Sequence, residues 1–141
     1  MEVAAAFDRD VLDQEQFLLF LDHELNRARR YQNFLSLLFF KIQPQTQTRL
    51  DRLADLMSDI LTLLKDEIRD SDLLSSLAED KLAVLLPYAD FEAGFLVLKR
   101  LTGVLEGYDF QSRGVKVGVE QFTFPMNGGN PRDFIRGFLQ P

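Results

Sequence analysis

Ser76-Leu77-Ala78-Glu79-Asp80-Lys81-Leu82 links two apolar runs, Leu73 to Leu77 and Lys81 to Leu86, through a polar Ala-Glu-Asp turn. Two short apolar runs around a tight polar bend read as a β-hairpin. Pro87, which has no amide donor for a ladder, ends the second run. Upstream, Leu50, Leu53, Met57, Leu61, Leu64 and Ile68 recur at three and four residues, the period of a helix burying one face. Before that helix, Phe34 to Ile42 is almost wholly apolar, as expected of a central strand covered on both faces, and Pro44 stops it. Gln16 to Gln32 carries Phe17, Leu18, Leu21, Leu25 and Ala28 at helical spacing. Downstream of the hairpin, Asp90 is placed to cap a helix whose buried stripe is expected at Phe91, Phe95, Leu98, Leu101 and Leu105, with Gly107 near its end. Val115, Val117 and Val119 alternate with Lys116, Gly118 and Glu120, which predicts a half-buried strand. After the Asn127-Gly128-Gly129-Asn130 loop, Pro131 opens a short last helix, since proline suits a first helical position. The order α, β, α, β-hairpin, α, β, α predicts an α/β sandwich (α+β), with a central, mostly antiparallel sheet flanked by helices.

The 141 residues match one ordinary domain, so a single domain over 1–141 is expected, with residues 1–10 as a flexible N-terminus. Cysteine is absent, which excludes disulfides, thiolate metal sites and a cysteine nucleophile. The formal net charge of -6 argues against a nucleic-acid binder, which needs a basic face to displace counterions. A basic-then-apolar leader and a long uncharged apolar window are both missing, so the expectation is a cytoplasmic protein with no membrane association. Any nucleotide must be held by a local cluster of residues.

The element order combines with Glu24-Leu25-Asn26-Arg27-Ala28-Arg29-Arg30, Leu35-Ser36-Leu37-Leu38-Phe39, Ile68-Arg69-Asp70-Ser71-Asp72-Leu73, Leu82-Ala83-Val84-Leu85-Leu86-Pro87 and Phe122-Thr123-Phe124-Pro125. Over about residues 10 to 138 this set resembles the GGDEF domain of bacterial diguanylate cyclases. The resemblance implies a nucleotide-cyclase-like palm architecture. In that family two GTP-loaded domains meet antiparallel and form cyclic di-GMP, using metal ions held by acidic residues of the first strand and the hairpin.

Against that pattern the catalytic positions are replaced. Lys41 stands where the family has its first-strand metal aspartate, and Gln43 stands at the next acidic position. An ammonium cannot ligate Mg²⁺, a hard cation that takes oxygen ligands. The five-letter signature is occupied by Ala78, Glu79, Asp80, Lys81 and Leu82, of which Asp80 alone keeps its type. Side chains at Ala78 and Glu79 obstruct the close guanine approach that paired glycines permit. Gln45-Thr46-Gln47-Thr48 lacks the Asn-Asp and glycine-rich nucleotide segment. The expectation is a degenerate GGDEF domain without cyclase activity, catalytic residues, metal or cofactor; Glu79, Asp80 and Lys81 then form a solvated turn, with Asp80 favouring the bend.

Many family members also bind their product at an inhibitory Arg-x-x-Asp site joined by an arginine of the following helix. Arg69 and Asp72 hold that register, with five residues between Asp72 and Ala78, and Arg100 matches the third position. An arginine fork donates to guanine O6 and N7, and a carboxylate accepts from N1 and N2. The implied ligand is cyclic di-GMP, bound by Arg69, Asp72 and Arg100. Two plainer readings stand beside this. Arg69 and Asp72 also suit a helix end and a turn start, and the domain also fits a protein-binding or dimerisation scaffold that holds no nucleotide, with an unidentified protein partner or a homodimer. Arg27, Arg29 and Arg30 suit either the negative end of the first helix or a phosphate. His23, the lone histidine, is expected in solvent without a role. Phe134, Ile135, Phe138 and Leu139 are apolar enough either for the monomer core or for a partner.

Overall fold

A computed structural model of the chain describes residues 11–44, 50–108 and 114–140. The expected flexible N-terminus, residues 1–10, and the shortened segment Gln45 to Thr48 lie outside the described residues. The elements are β1 (Val11–Leu12), α1 (Gln14–Tyr31), β2 (Leu35–Pro44), α2 (Leu50–Lys65), β3 (Leu73–Ala78), β4 (Lys81–Pro87), α3 (Phe91–Gly107), β5 (Val115–Phe124) and α4 (Pro131–Leu139). Five strands form one sheet in the order β1-β3-β4-β2-β5. Every neighbouring pair is antiparallel except β1 with β3. The architecture is the expected α/β sandwich. Among the described residues no helix is long and apolar enough to cross a membrane.

The apolar run of β2 is continuous because both of its faces are covered. Leu37 and Phe39 join Phe17, Leu21 and Leu25 of α1 and Ile135 of α4, while Leu38, Phe40 and Ile42 join Leu56, Ile60 and Leu64 of α2 and Leu98 and Leu101 of α3. Strand residues alternate between faces, so a strand between two helical layers must be apolar throughout. Asp13 and Gln16 start α1 with a reciprocal capping box, Asp90 caps α3 by accepting from the Ala93 N–H, and Pro131 opens α4.

One expectation is corrected here. Phe91 and Phe95 do not belong to the buried stripe of α3; they are 38% and 43% exposed and stack on each other, with centroids 6.0 Å apart. The helix buries Gly94 instead, because its backbone lies close over Ser36 and Gln121. For the apolar residues of α4 the structure agrees with the monomer-core reading. Ile135 is buried, and the rings of Phe134 and Phe138 lie 5.1 and 4.9 Å from that of Phe39.

Candidate functional site

The hairpin is held more firmly than its polar sequence suggests. Ala78 pairs with Lys81, a register shift falls between Ser76 and Ala78, and the Ile42 N–H donates to the Asp80 carbonyl at 2.7 Å. Glu79 alone of the turn is exposed; Ala78 and Asp80 are half-buried. Lys81 is only 4% exposed, and its Nζ donates to the carbonyl oxygens of Leu139 and Gln140 at 3.2 Å each. The expected solvated turn is therefore wrong at Lys81. A helix end carries unpaired carbonyls and partial negative charge, and the end of α4 supplies both to this ammonium.

Lys41 pairs with Lys81 across β2 and β4 and with Gly118 across β2 and β5. Directly paired strand residues share a face, so Lys41 and Lys81 stand on one face of the sheet, at the positions where the GGDEF resemblance implies metal-binding carboxylates. Gln43 lies two residues on, exposed and paired with Lys116. Among the described residues no three His, Cys, Asp or Glu side chains gather into a metal-binding group. This donor set does not fit a magnesium ion.

The other predicted residues converge between the end of α2 and the start of β3. Asp72 Oδ2 accepts the backbone N–H of Arg69 at 2.9 Å, and the Asp72 N–H donates to the Arg69 carbonyl at 3.0 Å. Arg100 reaches across from α3, donating from Nη2 to the Glu67 carbonyl at 2.6 Å, with the Glu67 carboxylate 3.9 Å from its Nε. Among the described residues the Arg69 guanidinium makes no hydrogen bond. Burial lifts the Asp72 carboxyl above the ordinary aspartate range; the Arg69 N–H and the charges of Arg69 and Arg100 pull downward without overcoming it. A cleft of about 470 Å³ opens beside this turn, lined by Leu12, Lys65, Ile68, Arg69, Asp72 and Leu73. Asp72 thus does the turn-forming work of the plainer reading while lying in the field of both arginines.

Sequence reasoning missed the anchoring of Arg100 by the Glu67 carbonyl, which no residue pattern encodes. It also missed a groove of about 590 Å³ between α2 and the hairpin, lined by Val11, Leu53, Met57, Leu61, Ser76 and Glu79. The signal for it was the width of the apolar face of α2. Of the arginine cluster, Arg27 bonds to Glu24 and Tyr88 and stacks 4.3 Å from the Tyr88 ring, and Arg29 lies 5.5 Å from the Phe124 ring. His23 is exposed, as expected.

No protein-family model matches the chain, and no curated protein sequence matches it. Solved structures do. A diguanylate cyclase (DGC) protein from Thermotoga maritima superposes with a TM-score of 0.76 at 16% identity, covering 90% of this chain and 92% of that one. The fold is that of a GGDEF domain. The GGDEF domain of DgcB from Caulobacter crescentus, in complex with c-di-GMP, superposes with a TM-score of 0.68 at 10% identity over 89% of this chain and 80% of that one. The diguanylate cyclase SiaD from Pseudomonas aeruginosa, in complex with its activator SiaC, gives 0.69 at 14% identity over 96% of this chain and 58% of that one. Against this GGDEF framework the Lys41–Lys81 pair lies at the centre of the sheet and the Arg69–Asp72 turn at its β1–β3 side.

Proposed function

We propose that this chain is a GGDEF-fold domain without diguanylate cyclase activity that acts as a cyclic di-GMP receptor, reading guanine with Arg69, Asp72 and Arg100. The observation that carries the reading is the turn in which Asp72 is fixed by the Arg69 N–H while the Arg69 guanidinium stays uncommitted and the Arg100 charge reaches the same carboxylate. A fixed acceptor beside a free fork of donors suits the guanine edge, where O6 and N7 accept and N1 and N2 donate. The complex of the DgcB domain with c-di-GMP gives a precedent for this ligand on this fold. Loss of turnover is supported by Lys41 and Lys81, since phosphoryl transfer in two-metal sites relies on cations placed at the attacking and leaving oxygens. The proposed setting is the cytoplasm, and the output is altered contact with a partner protein.

Two assays test the two halves separately. Incubation with GTP and Mg²⁺ or Mn²⁺ is expected to leave GTP unconsumed; accumulation of cyclic di-GMP that is abolished by Asp80→Ala refutes the loss of activity. Cyclic di-GMP, but not cyclic di-AMP, is expected to raise the melting temperature; equal shifts, or none, refute guanine recognition.

The exposed Phe91–Phe95 stack favours a second reading, a scaffold that binds a protein and no nucleotide. Co-purification of a stoichiometric partner together with absence of nucleotide binding supports it over the first.

A further inference from the structure

β5 lies at one end of the sheet, pairing with β2 and with no other strand among the described residues. An edge strand presents a row of backbone N–H and C=O groups ready to bond another strand. Its sequence, Val115-Lys116-Val117-Gly118-Val119-Glu120-Gln121, is self-complementary about Gly118. When two copies run antiparallel with their Gly118 residues opposed, Lys116 of each faces Glu120 of the other, and Val117 of each faces Val119 of the other. We propose that two copies of this chain join edge to edge through β5 about a two-fold axis at Gly118, fusing their sheets into one.

Charge supports this occupant and this register. Lys116 and Glu120 are both exposed, share a face of the sheet, and make no ion pair among the described residues. Parallel pairing in register sets Lys116 beside Lys116, and like charges directly opposite one another destabilise a sheet. An antiparallel shift that centres the axis on Val117 sets Lys116 against Gly118 and Glu120 against Gly114, and one centred on Val119 sets Lys116 against Phe122, Glu120 against Gly118 and Val117 against Gln121, so either leaves both charges without opposite partners. One arrangement therefore matches both the ionic face and the apolar face. On the apolar face, Val119 is 38% exposed and Val117 half-buried.

Gly118 is the second support. Its backbone is not among those with positive φ, and a Cβ built there meets only the Lys41 carbonyl oxygen, at 3.9 Å, an ordinary contact. Packing within one chain therefore gives no reason for glycine at a strand interior, where it costs about 0.5–1 kcal/mol relative to alanine. Close approach of a second backbone does. Helix α3 stands beside this strand, with the Gln121 amide donating to the Phe91 carbonyl at 3.0 Å, so the exposed Phe91–Phe95 pair adds apolar surface on the valine side.

Sedimentation equilibrium of the full chain from about 1 to 100 μM tests the proposal. The wild type is expected to show a monomer–dimer equilibrium. Lys116→Glu and Glu120→Lys are each expected to weaken the dimer by about tenfold or more, because each sets like charges together twice. Mixing the two single variants restores opposite charges across the seam, and so does the double variant K116E/E120K; both are expected to regain the wild-type dimer. This recovery separates an interface effect from a folding defect. A monomeric wild type throughout the range, unchanged association in the single variants, or no recovery on mixing overturns the proposal.

Discussion

The Lys81 ammonium lies 3.2 Å from the carbonyl oxygen of Leu139, across 58 residues of chain. This contact joins the turn that resembles a catalytic hairpin to the end of the last helix. The Lys81 ammonium acts there as a cationic cap and fastens α4 to the sheet. The 6.0 Å separation of Lys81 Nζ from the Phe138 ring centroid extends the contact along that helix.

Lys81→Met is expected to destabilise the domain by roughly 1 kcal/mol, the cost of leaving two partly buried carbonyls without their charged donor. Lys81→Glu is expected to cost more, roughly 3–5 kcal/mol, because it buries a carboxylate against carbonyl oxygens at the negative end of a helix. Urea unfolding followed by circular dichroism checks both. Equal stability of the Lys81→Glu variant and the wild type contradicts the capping role.

Gly94→Ala places a Cβ 2.7 Å from Gln121 Nε2 and 2.8 Å from Ser36 Oγ. The Ser36 hydroxyl is committed to the Ala89 carbonyl and to Thr123 Oγ1, both at 2.9 Å, so it has little freedom to withdraw. A loss of about 1–3 kcal/mol is expected from overpacking, despite alanine's better helix propensity, and thermal melting measures it. A stabilised variant contradicts the close packing of α3 over β2 and β5.

These two sites show what was legible in the sequence. The unbroken apolar runs of β2 and β4 and the helical spacing of α2 pointed to their burial, because both faces of the two strands and one face of the helix meet a packed layer. The Asp90 cap and the opening proline of α4, Pro131, were legible because they depend on neighbours within three residues. Burial of Lys81 was not, since its partners, Leu139 and Gln140, come from a distant helix end. Phe91 and Phe95 misled because apolar size was read as burial, whereas α3 approaches the sheet through its smallest residue, Gly94. β1 escaped because two residues carry no periodic signal; it forms by pairing with β3, where the Ser75 hydroxyl donates to the Leu12 carbonyl at 3.0 Å. At the candidate site, residue types and register were legible, but the anchoring of Arg100 by the Glu67 backbone was not.

Acidification is expected to weaken cyclic di-GMP binding. The Asp72 carboxyl titrates above the ordinary aspartate range, so it protonates earlier on the way down in pH, and the protonated group has lost acceptor capacity for guanine N1 and N2. Stability moves the other way at this residue. Its folded pKa lies above the unfolded value, so the cost of the ionised, partly buried carboxylate is present at neutral pH and is relieved as pH falls through the folded pKa. Asp72→Asn is expected to abolish the pH dependence of binding that arises at this site and to remove this stabilisation on acidification. Titrations at several pH values, paired with melting curves, check the two opposite slopes; binding that strengthens towards acid contradicts the role of the carboxylate.

Isothermal titration of the wild type with cyclic di-GMP, beside Arg69→Ala, tests the receptor reading most directly. The expected result is saturable heat from the wild type and an affinity lower by about tenfold or more in the variant, the loss of one bidentate guanine contact of roughly 1–3 kcal/mol. Absence of heat from the wild type at several hundred micromolar ligand, roughly the limit of a specific weak site, contradicts it, as does unchanged binding by Arg69→Ala.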